Sequence, residues 1–136
     1  MRKTPPLKRT ILLVDDDALI RELAGRWLRG AGYQVDDAAD GRDALTQYRE
    51  RQRDLVITDV MMPVMEGLET IRELHQLNPR VRIVAMTGAS AERADTYLSV
   101  AKDFGAREIL RKPFSKAQLI GTVERVLGEP DVDTIA

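Results

Sequence analysis

Three consecutive carboxylates, Asp15, Asp16 and Asp17, directly follow the aliphatic run Ile11–Val14. Carboxylates this close repel one another and raise one another's pKa unless a cation neutralises them. The chain has one histidine, distant in sequence from this run, and no cysteine, so oxygen atoms are the ligands at hand. Oxygen ligands suit a hard cation, Mg²⁺ first and Mn²⁺ or Ca²⁺ after it. The acidic run therefore predicts a divalent-cation site.

Three later aliphatic runs also end in polar residues. Asp59 follows the run in "DLVITDV", Thr87 follows the run in "RIVAMTGAS", and Lys112 follows the run in "EILRKPF". An ionised carboxylate can accept a phosphoryl group as an acyl phosphate. A cation, a lysine and a hydroxyl together can bind the oxygens of that group. The set predicts phosphoryl transfer with Asp59 as the nucleophile, provided that these residues meet in the fold.

The elements that must bring them together are short aliphatic runs alternating with amphipathic stretches, the pattern of βαβ units and a parallel sheet covered on both faces. The predicted strands are Ile11–Val14, Tyr33–Val35, Leu55–Ile57, Val81–Met86 and Ile109–Leu110. The predicted helices run from Leu19 to Leu28 and over Asp43–Arg49, Leu68–Leu77, Ala91–Phe104 and Lys116–Leu127. Ligands of open parallel sheets bind beyond the carboxyl ends of the strands, where four of the five predicted strands deliver the polar groups.

Size and composition limit the alternatives. The 136 residues suit one domain, and a net charge of −1 predicts no nucleic-acid surface. Every apolar window falls short of the roughly 18 residues of a membrane helix, so we expect a soluble protein with no membrane contact. The absence of cysteine excludes disulfides and fits a reducing cytoplasm. We expect flexible tails at residues 1–9 and 129–136 around one domain at 10–128.

Four motifs in this order and spacing, "LLVDDD", "ITDVMMPVMEGLE", "AMTGAS" and "LRKPF", resemble those of the receiver domain of two-component response regulators. The resemblance covers about residues 10 to 128. It implies a flavodoxin-like, doubly wound α/β fold, with five parallel strands in the order 2-1-3-4-5 and five helices. It also implies a bacterial signalling protein that acts as a phosphorylation-dependent switch in a phosphorelay, similar to the stand-alone chemotaxis regulators.

The resemblance assigns roles to individual residues. Asp59 would be the phospho-acceptor, taking phosphoryl from a histidine kinase or a phosphotransfer protein. Asp16 and Asp59 would be direct Mg²⁺ ligands, with Mn²⁺ as a possible substitute. Asp15 would act mainly through water, and the backbone carbonyl of Met61 would complete the protein's part of the metal shell. Thr87 would hydrogen-bond the phosphoryl group.

The strand that ends at Lys112 carries further implied roles. Lys112 would pair with the phosphoryl group, and the Lys112–Pro113 peptide bond would be cis. The kinase would dock near the first helix and the Pro113–Phe114 loop. Ile109 stands where the family often has a rotating Tyr or Phe switch, so an aliphatic side chain would have to repack instead. The output face would be Ala91–Leu127.

Two other departures concern water near the acceptor. Met61 and Ala89 occupy positions whose side chains bear on hydrolysis in this family, and neither can orient a water molecule by hydrogen bonding. The sequence therefore predicts a phospho-form that is not especially short-lived.

We expect no enzyme with a separate substrate, and no output domain after Leu127, so that the signal would leave by protein contact or by phosphoryl relay. One alternative is a receiver-like interaction module that is never phosphorylated. Another is a small aspartyl-phosphate phosphatase, although that class resembles a pattern with a second Asp two residues after the nucleophile, where this chain has Met61. The kinase, the downstream partner and the stimulus are not readable from the sequence.

Several residues have simpler interpretations. Asp17 is expected to cap the first helix, as Ser90 and Ser115 are for the last two helices. Trp27 lies on the apolar stripe of the first helix and is predicted to be a core residue. The single histidine, His75, is predicted to lie on the surface without a partner.

Overall fold

The computed structural model describes residues 8–60, 67–88 and 91–130. Five strands and five helices alternate within these residues. They are β1 Thr10–Val14, α1 Ala18–Gly30, β2 Gln34–Ala38, α2 Gly41–Glu50, β3 Leu55–Asp59, α3 Gly67–Leu77, β4 Ile83–Thr87, α4 Ala91–Phe104, β5 Glu108–Arg111 and α5 Lys116–Gly128. The predictions for Met61, Ala89 and Ser90 fall outside the described residues.

The strands form one parallel sheet in the order β2-β1-β3-β4-β5, which confirms the predicted fold class. The register aligns the carboxyl ends of the strands. Val14 is opposite Thr58 and Thr87 is opposite Arg111, while Asp59 is opposite Met86. The polar residues at the carboxyl ends of β1, β3, β4 and β5 are thereby brought to one edge of the sheet.

Two apolar cores cover the two faces of the sheet, because alternate side chains of a strand point to opposite faces. Leu12 and Val14 of β1 pack with residues of α2 and α3, whereas Ile11 and Leu13 pack with residues of α1 and α5. β3 and β4 are buried along their whole length. These two central strands are therefore rigid supports for the residues at their ends.

Side-chain caps define where α1 and α5 begin, and both were predicted. The Leu19 N–H donates to Asp17 Oδ1 over 2.9 Å, so Asp17 caps α1. Ser115 caps α5 in a reciprocal capping box with Gln118, with distances of 3.1 and 2.8 Å. Since the α1 cap follows the acidic pair directly, it also limits the backbone freedom of that segment.

The edge strand β2 is longer than predicted, because Asp36 and Asp37 belong to it. An edge strand can carry acids where one side reaches solvent. Asp36 pairs with Arg51 and Arg53, in each case with an oxygen–nitrogen distance of 2.8 Å. The sequence analysis did not include this half of the strand, because Asp36 and Asp37 interrupt the apolar pattern.

The prediction for Trp27 was confirmed in part, and that for His75 was wrong. Trp27 is only partly buried, but it packs against the core of α1 and α5, and its ring makes an edge-to-face contact with Phe114 with centroids 6.5 Å apart. His75 has a partner, because its Nε2 lies 3.1 Å from the carbonyl oxygen of Gly105. Gly105 directly follows α4 and has a φ of +119°, a conformation that glycine adopts without a steric penalty.

None of the described helices is both long enough and apolar enough to cross a membrane.

Candidate functional site

Three carboxylates meet at the carboxyl edge of the sheet. Oxygen atoms of Asp15, Asp16 and Asp59 all lie within 4.8 Å of one another. They converge because β1 and β3 are neighbours in register and each continues into an acidic residue. Asp15 is fully buried and Asp59 is 5% exposed, whereas Asp16 is exposed. Two carboxylates of the cluster are therefore shielded from solvent, and the third is accessible to it.

Lys112 joins this cluster from the end of β5. Its Nζ lies 2.6 Å from Asp15 Oδ2 and 2.6 Å from Asp59 Oδ2. Its backbone N–H donates to the carbonyl oxygen of Thr87 over 2.8 Å, which holds the residue beside β4. The Lys112–Pro113 peptide bond is cis, as the resemblance implied. One ammonium thus bridges two buried carboxylates from two strands.

Every polar atom of Asp15 has a partner. Its N–H donates to the Ala38 carbonyl over 3.1 Å, and its carbonyl accepts from Arg21 Nη1 over 2.6 Å. Oδ1 accepts from the Asp17 N–H over 2.9 Å, and Oδ2 accepts from Lys112. These hydrogen bonds hold the Asp15 side chain in one orientation.

Burial sets the electrostatics of the pair formed by Asp15 and Lys112. Burial raises the pKa of the Asp15 carboxyl, and the hydrogen bonds from Lys112 and the Asp17 N–H offset that rise only in part. Burial also tends to lower the pKa of the Lys112 ammonium, but hydrogen bonds to Asp15 and Asp59 outweigh it, and the pKa is raised. The lysine is therefore held as a cation, and the carboxylate cluster favours further positive charge.

Thr87 and Gly88 occupy the same edge. Thr87 ends β4 and is 1% exposed. Gly88 is exposed, and a Cβ at this position would lie 3.4 Å from Lys112 Cδ. A Cβ at residue 88 would thus be in van der Waals contact with the lysine side chain, which places Gly88 directly beside it.

Gly67 is a site residue that sequence reasoning missed. It begins α3 against the end of β3, so closely that a Cβ there would lie 2.1 Å from the Asp59 carbonyl oxygen and 2.4 Å from Val60 Cα. Backbone atoms cannot yield at that distance as a flexible side chain can. The available signal was the glycine that closes the motif "MMPVMEG".

Arg21 was also missed. It lies on α1 with its side chain 20% exposed, and its guanidinium reaches both the Asp15 carbonyl and Asp37 of β2, the latter at 3.9 Å. The sequence did not indicate these contacts, because whether the Arg21 side chain reaches Asp15 and Asp37 depends on how α1 packs across β2.

The donor set fits a hard divalent cation. Three carboxylates offer oxygen atoms at one point, and the described residues bring no nitrogen or sulfur ligand to it. Lys112 neutralises part of the charge but leaves the exposed Asp16 facing solvent. The Met61 carbonyl, the fourth implied ligand, lies outside the described residues.

The residues expected to switch or dock lie beside this edge. Ile109 is partly buried against the core of α2 and α3, and Phe114 is partly buried, whereas Pro113 is exposed. The Pro113–Phe114 loop and the apolar face of α1 enclose a cavity of about 100 Å³, lined by Ile20, Leu23, Ala24, Trp27, Lys112, Pro113 and Phe114. An apolar surface therefore adjoins the carboxylate cluster.

Comparison with known proteins agrees with this geometry. The chemotaxis protein CheY of Thermotoga maritima is 30% identical over 119 residues, which are 87% of this chain and 97% of that protein. The receiver domain of a CheY-like response regulator from Methanospirillum hungatei superposes with a TM-score of 0.82 at 29% identity, covering 89% of this chain and 94% of that one. Vibrio cholerae CheY4 superposes with a TM-score of 0.80 at 35% identity, over 88% of this chain and 99% of that one.

Longer proteins contain a similar segment. The transcriptional regulatory protein ZraR of Salmonella typhimurium is 41% identical over 120 residues, which are 88% of this chain and 26% of that protein. The chain thus spans about a quarter of the length of the ZraR proteins that it matches. The model of the response regulator receiver domain matches residues 11–124. With the sheet order and the acidic pocket at the expected edge, these matches show that the chain belongs to the response regulator receiver domain family.

Proposed function

We propose that Asp59 accepts a phosphoryl group from a phosphohistidine of a histidine kinase or phosphotransfer protein, in a reaction that depends on Mg²⁺. The observation that supports this most directly is the Lys112 ammonium, 2.6 Å from Asp59 Oδ2, inside a cluster of three carboxylates. An Asp59 oxygen forms the new P–O bond while the P–N bond of the donor breaks, and the donor imidazole keeps the electron pair of that bond.

The surrounding side chains would prepare Asp59 for this step. Lys112 donates to the buried Asp59 carboxylate and can donate to a phosphoryl oxygen once that group arrives. The Thr87 hydroxyl, at the end of the neighbouring strand, is the second proposed donor. Since Asp15 is held at all four polar atoms, it supports Lys112 and does not compete with Asp59 as the acceptor.

The acidic cluster would hold the cation through Asp16 and Asp59, with Asp15 acting mainly through water. When bound, Mg²⁺ supplies positive charge that offsets the negative charge of the phosphoryl oxygens. The full burial of Asp15 and the hydrogen bond that each of its carboxylate oxygens already accepts support its indirect role.

The donor protein is proposed to dock on the apolar surface of α1 and the Pro113–Phe114 loop. Leu23 lines this surface together with Lys112 and is 43% exposed, and Leu19, four residues earlier on α1, is 73% exposed. Exposed leucines beside a reactive group are a typical mark of a protein-binding site.

We propose that the signal leaves through the surface of Ala91–Leu127, with Ile109 repacking when Thr87 moves. In this proposal the domain modifies itself and has no separate substrate. The alternatives of an unphosphorylated interaction module and of a small phosphatase are less well supported, since Asp59 has its lysine partner and the sequence has Met61, not a second acid, two positions after it. Activities of a whole protein, such as transcriptional regulation in ZraR, would need regions that these relatives have beyond the matched segment. A cytoplasmic location stays a prediction.

The direct test is incubation with acetyl phosphate and MgCl₂ followed by intact mass measurement. We expect one added phosphoryl group in the wild-type chain and none with Asp59→Asn or with EDTA. Asp17→Asn is the matched control, because it removes an adjacent acid while asparagine still caps α1. Absence of an adduct with acetyl phosphate and with kinases would favour the interaction-module alternative.

A further inference from the structure

We propose that Arg21 is a positioning residue for the acidic pair and that it sets the affinity of the cluster for a divalent cation. The inference rests on the proposed function, because it concerns the cation of the same site. It assigns a role to a residue outside the carboxylates and Lys112.

The contact is made to the main chain of the acidic segment. Arg21 Nη1 donates to the Asp15 carbonyl oxygen over 2.6 Å, from a side chain that is only 20% exposed. Charge-assisted hydrogen bonds of this length are among the stronger ones in proteins. On its other side, the guanidinium lies 3.9 Å from Asp37 Oδ2 on β2. Arg21 thereby ties the acidic segment to the edge strand.

The Asp15 carbonyl belongs to the peptide unit that joins Asp15 to Asp16. Because that unit is planar, holding its oxygen also sets the direction in which the chain enters Asp16. Asp16 is the exposed member of the cluster, whereas Asp15 is buried and held by other groups as well. The Arg21 contact therefore acts mostly on where the Asp16 carboxylate points.

Charge and positioning make opposite predictions for the loss of Arg21. Arg21 carries a positive charge that repels a bound cation. If charge alone mattered, its removal should strengthen cation binding. Releasing the Asp15–Asp16 peptide should weaken cation binding, as the loss of groups that orient metal ligands commonly does by 10- to 100-fold. The sign of the change distinguishes the two effects.

The experiment is calorimetric titration of MgCl₂ into the full chain for the wild type, Arg21→Ala, Arg21→Lys and Arg26→Ala. We expect roughly tenfold weaker binding in Arg21→Ala and an intermediate value in Arg21→Lys, whose ammonium can still donate. Arg26 is the matched control on α1, because its side chain is 74% exposed and pairs with Glu22 alone among the described residues. Its loss should change the affinity by less than about twofold.

Equal or tighter Mg²⁺ binding in Arg21→Ala would overturn the inference. If Arg21→Ala does not unfold cooperatively in urea, Arg21→Lys carries the test, since it keeps the charge and an unchanged affinity there would overturn the inference. Hydrogen exchange of the Asp16 and Asp17 amides without metal is the second measurement, and we expect faster exchange in Arg21→Ala. If the wild type binds no Mg²⁺, the proposed function fails, and the exchange rates still decide whether Arg21 positions the acidic segment.

Discussion

The Lys112 ammonium lies 2.6 Å from Asp59 Oδ2 and equally close to Asp15 Oδ2, although 53 and 97 residues separate the partners along the chain. The contact joins the carboxyl ends of β1, β3 and β5. The contact stabilises both buried carboxylates, because it supplies a counter-charge to each. We therefore expect Lys112 to couple the stability of the domain to the proposed reaction at Asp59.

Replacing Lys112 with Met should lower the free energy of unfolding by about 3–5 kcal/mol in EDTA at neutral pH, because the buried Asp15 loses its partner. Mg²⁺ should restore part of this loss, since a ligand that binds the folded state stabilises it. Urea unfolding followed by circular dichroism measures both. Lys116→Met, an exposed lysine at the start of α5, should change stability by less than about 0.5 kcal/mol. A comparable effect at the two positions would contradict the coupling.

Gly67→Ala should destabilise the domain by about 2 kcal/mol or more and slow its phosphorylation by acetyl phosphate, because the added methyl would press on the Asp59 backbone. Gly30→Ala is the matched control, since a Cβ at this helical glycine meets no atom within 4 Å. That change should be neutral or slightly stabilising. Urea unfolding and the rate of phosphoryl uptake test the pair, and wild-type behaviour of Gly67→Ala would rule out the close approach.

Leu23→Glu should slow phosphoryl transfer from a cognate phosphohistidine protein at least tenfold while the rate with acetyl phosphate stays within about twofold, since only the protein donor needs the apolar surface of α1. Leu77→Glu is matched in type and exposure, 38% against 43%, and lies at the end of α3. It should leave both rates unchanged. Equal slowing of both donors by Leu23→Glu would point to damage of the site and not to docking.

Tyr48 should contribute to stability in a pH-dependent way. Burial raises its pKa above the ordinary value of 10.0, and the hydrogen bond from Asn78 over 2.9 Å opposes the rise only in part. A raised folded-state pKa means that the contribution is present below about pH 10 and is lost as pH rises through the folded value. Unfolding free energies measured from pH 8 upward should therefore fall less steeply in Tyr48→Phe than in the wild type. Identical slopes would show that the pKa of Tyr48 does not differ between the folded and unfolded states.

The phospho-form should persist in Mg²⁺ buffer for minutes or longer, because neither Met61 nor Ala89 can orient a hydrolytic water. A time course of intact mass after removal of acetyl phosphate measures the lifetime. Met61→Asn, which introduces an amide able to hold water, should shorten it. Decay within seconds in the wild type would refute the prediction.

Much of the architecture could be read from local pattern. Unbroken aliphatic runs identified the buried strands β3 and β4, and the residues at their ends, Asp59 and Thr87, followed directly. The caps at Asp17 and Ser115 were also readable, because a cap acts within four residues of itself. The extent of β2 was not, since acids on an edge strand break the apolar pattern without breaking the strand.

The sequence by itself determined the order of the elements, the types of the residues at the strand ends and the family to which they belong. Only the tertiary structure decided that Arg21 reaches the Asp15 carbonyl, that Gly67 presses against Asp59, and that His75 meets Gly105. The physical reason is range: strand periodicity and capping act between near neighbours in the chain. Contacts between a helix and the end of a strand depend instead on crossing angles and packing distances, which result from the two cores as a whole.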